Sequence, residues 1–247
     1  MTLSLKGRIA LVTGASRGIG KATALALAKA GAHVVALART VGGLEELDDA
    51  IQAAGGTATL VPIDIKDGEG LDRLGYTLFE RYGRLDILVG NAGILGSVSP
   101  VGHLEPKDWD NVIAVNLTAN WRLIRSMDPL LRKSEAGRAV FVTSGVSWKA
   151  TAYWGLYATS KAGLNTLVRT YANETESTPV RVNLFSPGPT RTRMRAAAMP
   201  GEDPETLPPP EEVAEALLPM VSAACRESGK VFDFRRRRFL GFQEPIG

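Results

Sequence analysis

The sequence is poor in the residues that build disulfides and metal centres. Its 247 residues include one cysteine, Cys225, and two histidines, His33 and His103. A single cysteine excludes an internal disulfide and fits a reducing compartment, so we expect a cytoplasmic protein. These three residues lack the spacing of a metal site, so we expect no bound metal. Apolar runs of ~18 residues are also missing, which predicts no membrane span.

The chain has little excess charge once one short run is set aside. Its net charge is +3, and Arg235 to Arg238 alone contribute four positive charges, which leaves −1 for the rest. No aromatic interleaving or nucleic-acid motif accompanies the run. We therefore interpret it as a solvated or subunit-facing tail and expect no nucleic-acid partner.

Short β-branched apolar runs alternate with longer helical patterns along the whole chain. Strands are predicted at 8–13, 33–38, 58–63, 87–90, 139–143, 180–185 and 231–234, and helices at 19–30, 43–54, 67–82, 106–131, 156–175 and 211–223. This alternation predicts an α/β fold: a single-domain, Rossmann-type doubly wound parallel sheet of about seven strands, with helices on both faces, over residues 1–247. The irregular segment 189–210 ends in three prolines and is expected to be a surface loop or a substrate-side lid.

A glycine-rich turn follows the first predicted strand and opens the first helix. Glycines at 14, 18 and 20 let the backbone turn tightly and approach a pyrophosphate at the positive helix N-terminus. The spacing is Gly-x-x-x-Gly-x-Gly, not the commoner Gly-x-Gly-x-x-Gly. Its place in a βαβ unit predicts a dinucleotide site formed by Gly14, Ser16, Arg17, Gly18, Ile19 and Gly20.

The end of the second strand bears on the choice of cofactor. A carboxylate there would bind the adenosine ribose of NAD, but Ala38 is followed by Arg39. A guanidinium matches a phosphate, and Arg17 lies in the glycine turn within reach of the same 2′-phosphate. We therefore expect NADP rather than NAD. The alternative is that both arginines are simply solvated.

A tyrosine and a lysine four residues apart provide candidate proton-transfer groups. Tyr157 and Lys161 would share a helix face, and a nearby ammonium is expected to lower the pKa of the phenol. Ser144, after an apolar run, would hold a carbonyl or alcohol oxygen against that phenol. The three suit carbonyl–alcohol interconversion with Tyr157 as general acid or base.

These motifs together resemble the short-chain dehydrogenase/reductase family, in its classical form, over nearly the whole chain. They occur in the family order: the turn from Thr13 to Gly20, Asp64, Asn91-Ala92-Gly93, Asn116, Ser144, Tyr157 to Lys161, Pro187-Gly188 and Thr192.

The resemblance implies further roles. On the cofactor side, Asp64 would accept from the adenine amino group, Asn91-Ala92-Gly93 would pass the adenine ribose, and Lys161 would bond the nicotinamide ribose. Pro187-Gly188 would lie against the nicotinamide, and Thr192 would bond its carboxamide. Asn116 would complete the catalytic set of Asn116, Ser144, Tyr157 and Lys161 by holding a relay water.

The resemblance also implies a pocket beside the reacting carbon. Its expected walls are Leu95, Val146, Trp154 and Pro189, with Ile94, Trp148, Tyr153 and Met194 around them. Such walls suit a hydrophobic ketone or alcohol, although several of these residues could serve packing instead. We expect a homodimer or homotetramer. Two alternatives remain: an enoyl-thioester reductase, whose Tyr and Lys are usually further apart, and a non-catalytic NADPH-sensing or nucleic-acid-binding regulator.

Overall fold

The computed structural model describes residues 3–242, which form one eight-stranded sheet covered by helices. The strands are β1 Ile9–Thr13, β2 His33–Ala38, β3 Thr57–Pro62, β4 Ile87–Gly90, β5 Arg138–Val142, β6 Arg181–Ser186, β7 Val231–Asp233 and β8 Arg238–Leu240. They are ordered β3-β2-β1-β4-β5-β6-β7-β8, and all neighbours are parallel except β7 and β8. The predicted doubly wound fold is confirmed.

Helices cover both faces of this sheet. The α-helices are α1 Gly18–Lys29, α2 Val41–Ala53, α3 Gly68–Tyr82, α4 Pro106–Ile113, α5 Ala119–Leu131, α6 Val146–Lys149, α7 Gly155–Glu174, α8 Arg193–Ala198 and α9 Pro210–Val221. Along β1, Leu11 joins the core on one face, whereas Ala10 and Val12 join the core on the other. This alternation follows from the two-residue period of a strand, and it anchors both helix layers.

The topology places the ligand-binding edge of the sheet. The chain runs outward from β1 to β3 and then returns to β4 on the other side of β1. Ligands of open α/β sheets bind at such a reversal, beyond the carboxyl ends of the strands. The glycine turn follows β1 there, and Ser144 follows β5.

The C-terminal arginine run is not the tail that we predicted. It spans the turn after β7, and Arg238 begins an eighth, antiparallel strand. The Arg237 guanidinium pairs with Glu212 and packs over the Phe234 ring. The run is solvent-exposed because it forms the tip of a hairpin.

Two other segments differ in detail from the prediction. The helix expected over 106–131 is interrupted by a π-helical stretch, Ala114–Thr118, between α4 and α5. The segment 189–210 contains α8 and a 3₁₀ turn, Pro204–Thr206, and is tied internally by the ion pairs Arg195–Glu202 and Arg191–Glu205. Within residues 3–242 no helix has the length and apolar character needed to cross a bilayer.

Candidate active site

The four predicted catalytic residues lie together at the carboxyl edge of the sheet. Ser144 follows β5, Tyr157 and Lys161 share one face of α7, and Asn116 lies in the π-helical stretch. A β-carbon on Gly93, after β4, would lie 3.5 Å from the Lys161 Nζ and 3.4 Å from the Asn116 Oδ1. The loop after β4 therefore meets both Lys161 and Asn116.

The Tyr157 phenol is held in its protonated form. Burial raises the pKa of Tyr157 to about 12, and a hydrogen bond with the Ser144 side chain opposes part of this rise. The residue as a whole is only partly buried. At neutral pH this tyrosine is a proton donor in contact with a second hydroxyl.

Lys161 is a buried cation. The residue is only 3% exposed, and its Nζ donates a hydrogen bond to the Val142 carbonyl at 2.9 Å. Burial lowers the pKa of Lys161 to about 8, because the ammonium loses hydration that one carbonyl only partly replaces. The amine is still mainly protonated at pH 7.

The expected lowering of the Tyr157 pKa by Lys161 is therefore wrong for this structure. The Lys161 Nζ lies 5.8 Å from the centroid of the Tyr157 ring, and its hydrogen bond goes to the Val142 carbonyl. Desolvation is the largest cause of the raised pKa of the Tyr157 phenol, and the cause that opposes it is the hydrogen bond with Ser144, not the Lys161 ammonium.

The Asn116 side chain ties three segments together. Its Oδ1 accepts from the Ile94 N–H at 2.9 Å, and its Nδ2 donates to the Ile94 carbonyl at 2.9 Å and to the Ser160 Oγ at 3.0 Å. Ser160 in turn donates to the Tyr157 carbonyl at 2.8 Å. The π-helical turn brings Asn116 to this junction, and such turns often occur at functional sites. The expected relay water remains a prediction.

The glycine turn is braced by the segment after β4. The predicted cofactor residues Gly14, Ser16, Arg17, Gly18, Ile19 and Gly20 lead from β1 into the first turn of α1. A β-carbon on Gly20 would collide with the Gly14 carbonyl and the Asn91 amide. The Asn91 Nδ2 donates to the Thr13 carbonyl at 2.9 Å, and the Thr13 Oγ1 accepts from the N–H groups of Asn91 and Ala92, both at 3.0 Å.

Two charged residues stand beyond the ends of β2 and β3. The Arg39 Nη1 lies 3.7 Å from the Asp64 Oδ2, and the Asp64 Oδ1 accepts from the Lys66 N–H at 2.9 Å. The Arg39 side chain is 61% exposed, which leaves its guanidinium available to a ligand. Arg17, at the N-cap of α1, is also exposed and makes no capping bond with its side chain.

The nicotinamide-side residues predicted after β6 face the glycine turn. Thr192 caps α8 by accepting from the Arg195 N–H at 3.2 Å, and its Cγ2 lies 3.5 Å from where a β-carbon on Gly18 would stand. Pro187 and Gly188 precede it, and the Arg235 methylenes lie 3.1 Å from a β-carbon position on Gly188. The two predicted ends of the cofactor site are therefore joined through Gly18 and Thr192.

The residues predicted to line the substrate pocket differ in their contacts and in their exposure. The Trp154 ring lies edge-on to the Tyr157 ring at 6.2 Å, whereas the Trp148 ring packs against Phe242. Tyr153 has a left-handed backbone, with φ +71°, and its carbonyl accepts from the Ser99 N–H at 3.0 Å. Strained non-glycine residues of this kind cluster at functional sites. The partly buried residues near the site are Ile94, Leu95, Val146 and Pro189, while Met194 is 37% exposed.

Several supporting residues were not singled out from the sequence. Asn120 donates to the Asn116 carbonyl at 2.8 Å, and a β-carbon on Gly90 would lie 2.7 Å from the Asn120 Oδ1. The Asn120 amide and the Phe141 ring occupy the space that a side chain at Gly90 would need. Thr13, inside the glycine motif, and Ser160, inside the Tyr–Lys motif, could have been found from those motifs.

Comparisons with known proteins identify the family of this chain. Residues 8–203 match the family model for short chain dehydrogenases. An uncharacterised oxidoreductase of Escherichia coli K12 is 36% identical over 244 residues, which cover 97% of this chain and 96% of that protein. A 3-oxoacyl-[acyl-carrier-protein] reductase of Synechocystis is 34% identical, with 93% and 96% covered.

A solved structure gives the same result. A short chain dehydrogenase of Shigella flexneri 2a, complexed with NADP, has a TM-score of 0.91 and 36% identity, with 95% of this chain and all of that chain covered. The similarity to these proteins therefore extends over almost the full length of the chain, in sequence and in fold. The chain belongs to the short-chain dehydrogenase family and is an oxidoreductase.

Proposed function

We propose that this protein interconverts a carbonyl and a secondary alcohol by hydride transfer with NADP(H), and that Tyr157 is its general acid and base. The observation that carries the proposal is a protonated phenol that lies beside Ser144, with the buried ammonium of Lys161 5.8 Å from the centroid of its ring. Burial raises the pKa of Tyr157 to about 12 and lowers that of Lys161 to about 8. The Tyr157 hydroxyl and the Lys161 amine are therefore both protonated at neutral pH.

In the reductive direction the hydroxyls of Ser144 and Tyr157 donate hydrogen bonds to the substrate carbonyl oxygen. As the carbonyl carbon gains a hydride, negative charge develops on that oxygen, and the Tyr157 O–H bond breaks as its proton moves there. The phenolate left behind is stabilised by the Lys161 ammonium. A proton then returns to Tyr157 through Lys161 and the polar junction at Asn116, and oxidation reverses these steps.

The residues present fit an NADP molecule. The turn between β1 and α1 has the tight backbone expected of a dinucleotide site: Gly14 and Gly18 have φ +66° and +55°, and Gly20 has no room for a β-carbon. The exposed guanidinium of Arg39 stands beyond β2, where the adenosine phosphate is expected. Arg17 and Arg39 would hold the 2′-phosphate, Asp64 the adenine, and Lys161 and Thr192 the nicotinamide end. When bound, the reduced cofactor supplies the hydride. The NADP complex of the Shigella relative supports the same choice.

The substrate is expected to enter beside Trp154. Apolar and aromatic walls favour a hydrophobic carbonyl compound, and segment 189–210, tied by its own ion pairs, would close over it as one unit. A 3-oxoacyl thioester is one candidate, because the Synechocystis relative is named for that substrate. The family resemblance leads us to expect assembly through α5 and α7, and Trp121 on α5 is 45% exposed.

The test is a cofactor and substrate screen on the purified protein. Binding of NADPH and NADH is titrated by fluorescence, and oxidation of the preferred cofactor is followed with hydrophobic ketones, keto-esters, 3-oxoacyl thioesters and enoyl thioesters. The proposal expects tighter binding of NADPH and turnover of a carbonyl substrate. Equal affinities would overturn the NADP assignment. Turnover of enoyl thioesters alone, or duplex DNA binding without turnover, would favour one of the two alternatives.

A further inference from the structure

Asn165 belongs to a buried polar chain that no step of the proposed mechanism uses. It lies on α7 four residues after Lys161 and eight after Tyr157, so the three side chains form one stripe along the helix. Asn165 is 6% exposed. A buried amide must find partners for its donors and its acceptor, and here those partners lie on both sides of Ser144.

The bonds run from helix to loop in a defined order. Thr143, directly before Ser144, donates its hydroxyl to the Asn165 Oδ1 at 2.5 Å. The Asn165 Nδ2 donates to the Ser147 Oγ at 2.9 Å, and the Ser147 hydroxyl donates to the Ser144 carbonyl at 2.6 Å. One amide thus fixes the backbone before Ser144 and, through Ser147, the backbone at Ser144 itself.

We propose that Asn165 is a positioning residue that sets the distance between the Ser144 hydroxyl and the Tyr157 phenol. The two hydroxyls belong to different segments: Ser144 to the loop after β5, and Tyr157 to α7. Asn165 is hydrogen-bonded to that loop and lies on the same face of α7 as Tyr157. It therefore fixes the position of the loop relative to the helix. This inference rests on the proposed function, in which both hydroxyls bind one substrate oxygen.

Positioning matters here because the hydroxyls of Ser144 and Tyr157 must both hydrogen-bond one substrate oxygen, which tolerates little displacement of either hydroxyl. Misplacement of a catalytic group by about 1 Å can cost about a hundredfold in rate. The loop from Ser144 into α6 is partly exposed and contains no bulky anchor before Trp148. Its buried attachment to α7 through Thr143 and Ser147 therefore holds the hydroxyl in place.

The test compares Asn165→Leu, Ser147→Ala and Ser147→Thr with Asn173→Leu, a control at an exposed asparagine on the same helix. The first two variants should lower kcat for carbonyl reduction about tenfold to a hundredfold and change the KM for NADPH by less than twofold. Ser147→Thr, which keeps the hydroxyl, should restore most of the rate. The double variant that combines Asn165→Leu with Ser147→Ala should have nearly the same kcat as Asn165→Leu alone, because both residues act along one chain of hydrogen bonds.

Crystal structures of Ser147→Ala and Asn165→Leu give a readout that does not need activity. The expected result is a Ser144 hydroxyl displaced from the Tyr157 phenol. An unmoved Ser144, or variants as active as the wild type, would overturn the positioning role and leave the proposed reductase intact. A wild type without carbonyl reduction would instead defeat the proposed function, and the two crystal structures would still decide the role of Asn165.

Discussion

Replacing Lys161 by methionine should stabilise the fold at neutral pH. The side chain is buried, its ammonium is bonded to one carbonyl, and burial lowers its pKa from 10.5 to about 8. That difference corresponds to about 3 kcal/mol of unfavourable free energy for keeping the charged lysine in the folded protein. Methionine has a similar length and removes this charge, but it leaves the Val142 carbonyl without its donor.

The sign follows from proton binding. Because the folded-state pKa of Lys161 lies below the unfolded one, the folded protein holds fewer protons between pH 8 and 10.5. The unfolding free energy of the wild type should therefore rise with pH across this window, and the full penalty is present below pH 8. Loss of the carbonyl's partner costs about 1–3 kcal/mol at any pH. The variant should then be about 1 kcal/mol more stable at pH 7 and less stable at pH 10.

Urea unfolding followed by tryptophan fluorescence, repeated from pH 6.5 to pH 10, measures this difference. Other titrating groups act on both proteins and cancel in the comparison. Lys133→Met, at an exposed position on the same chain, is the control for the loss of a lysine charge. A pH-independent difference between wild type and Lys161→Met would refute the claim that burial of this cation destabilises the fold. Stability gained together with lost activity would mark Lys161 as a functional residue.

Two further changes test the nucleotide end. Arg39→Ala should raise the KM for NADPH at least tenfold and leave that for NADH within twofold, since only the phosphate partner is lost; steady-state kinetics with both cofactors measures this, and an equal loss for both would contradict the assigned role. Thr13→Val should lower the unfolding free energy by about 2 kcal/mol, because the N–H groups of Asn91 and Ala92 lose their shared acceptor; urea unfolding checks it, and an unchanged midpoint would show that the hydroxyl is dispensable.

Local patterns in the sequence were enough to predict the doubly wound parallel sheet and the grouping of Ser144, Tyr157 and Lys161. The spacing of four residues between Tyr157 and Lys161 fixes their shared helix face, and the glycine turn is contiguous in the chain. The sign of the Tyr157 pKa shift depends on burial by distant segments, which no local pattern contains.

Two misses have the same origin. The strand β8 has only three residues, follows three arginines and begins with a fourth, so its sequence resembles a solvated chain end and only its pairing with β7 shows that it is a strand. Asn165, read alone, is an ordinary polar residue in a helix. Its partners Thr143 and Ser147 are 22 and 18 residues away, and only the packing of α7 on the loop after β5 brings them together.

The most direct test of the Tyr157 mechanism is single-turnover reduction by Tyr157→Phe. The variant is loaded with NADPH, binding is verified by fluorescence, and loss of absorbance is followed after rapid mixing with a substrate that the wild type reduces. If the Tyr157 proton is required, the cofactor binds with near wild-type affinity and its oxidation is at least a thousandfold slower. Oxidation at close to the wild-type rate would contradict the account, because the proton would then come from another group.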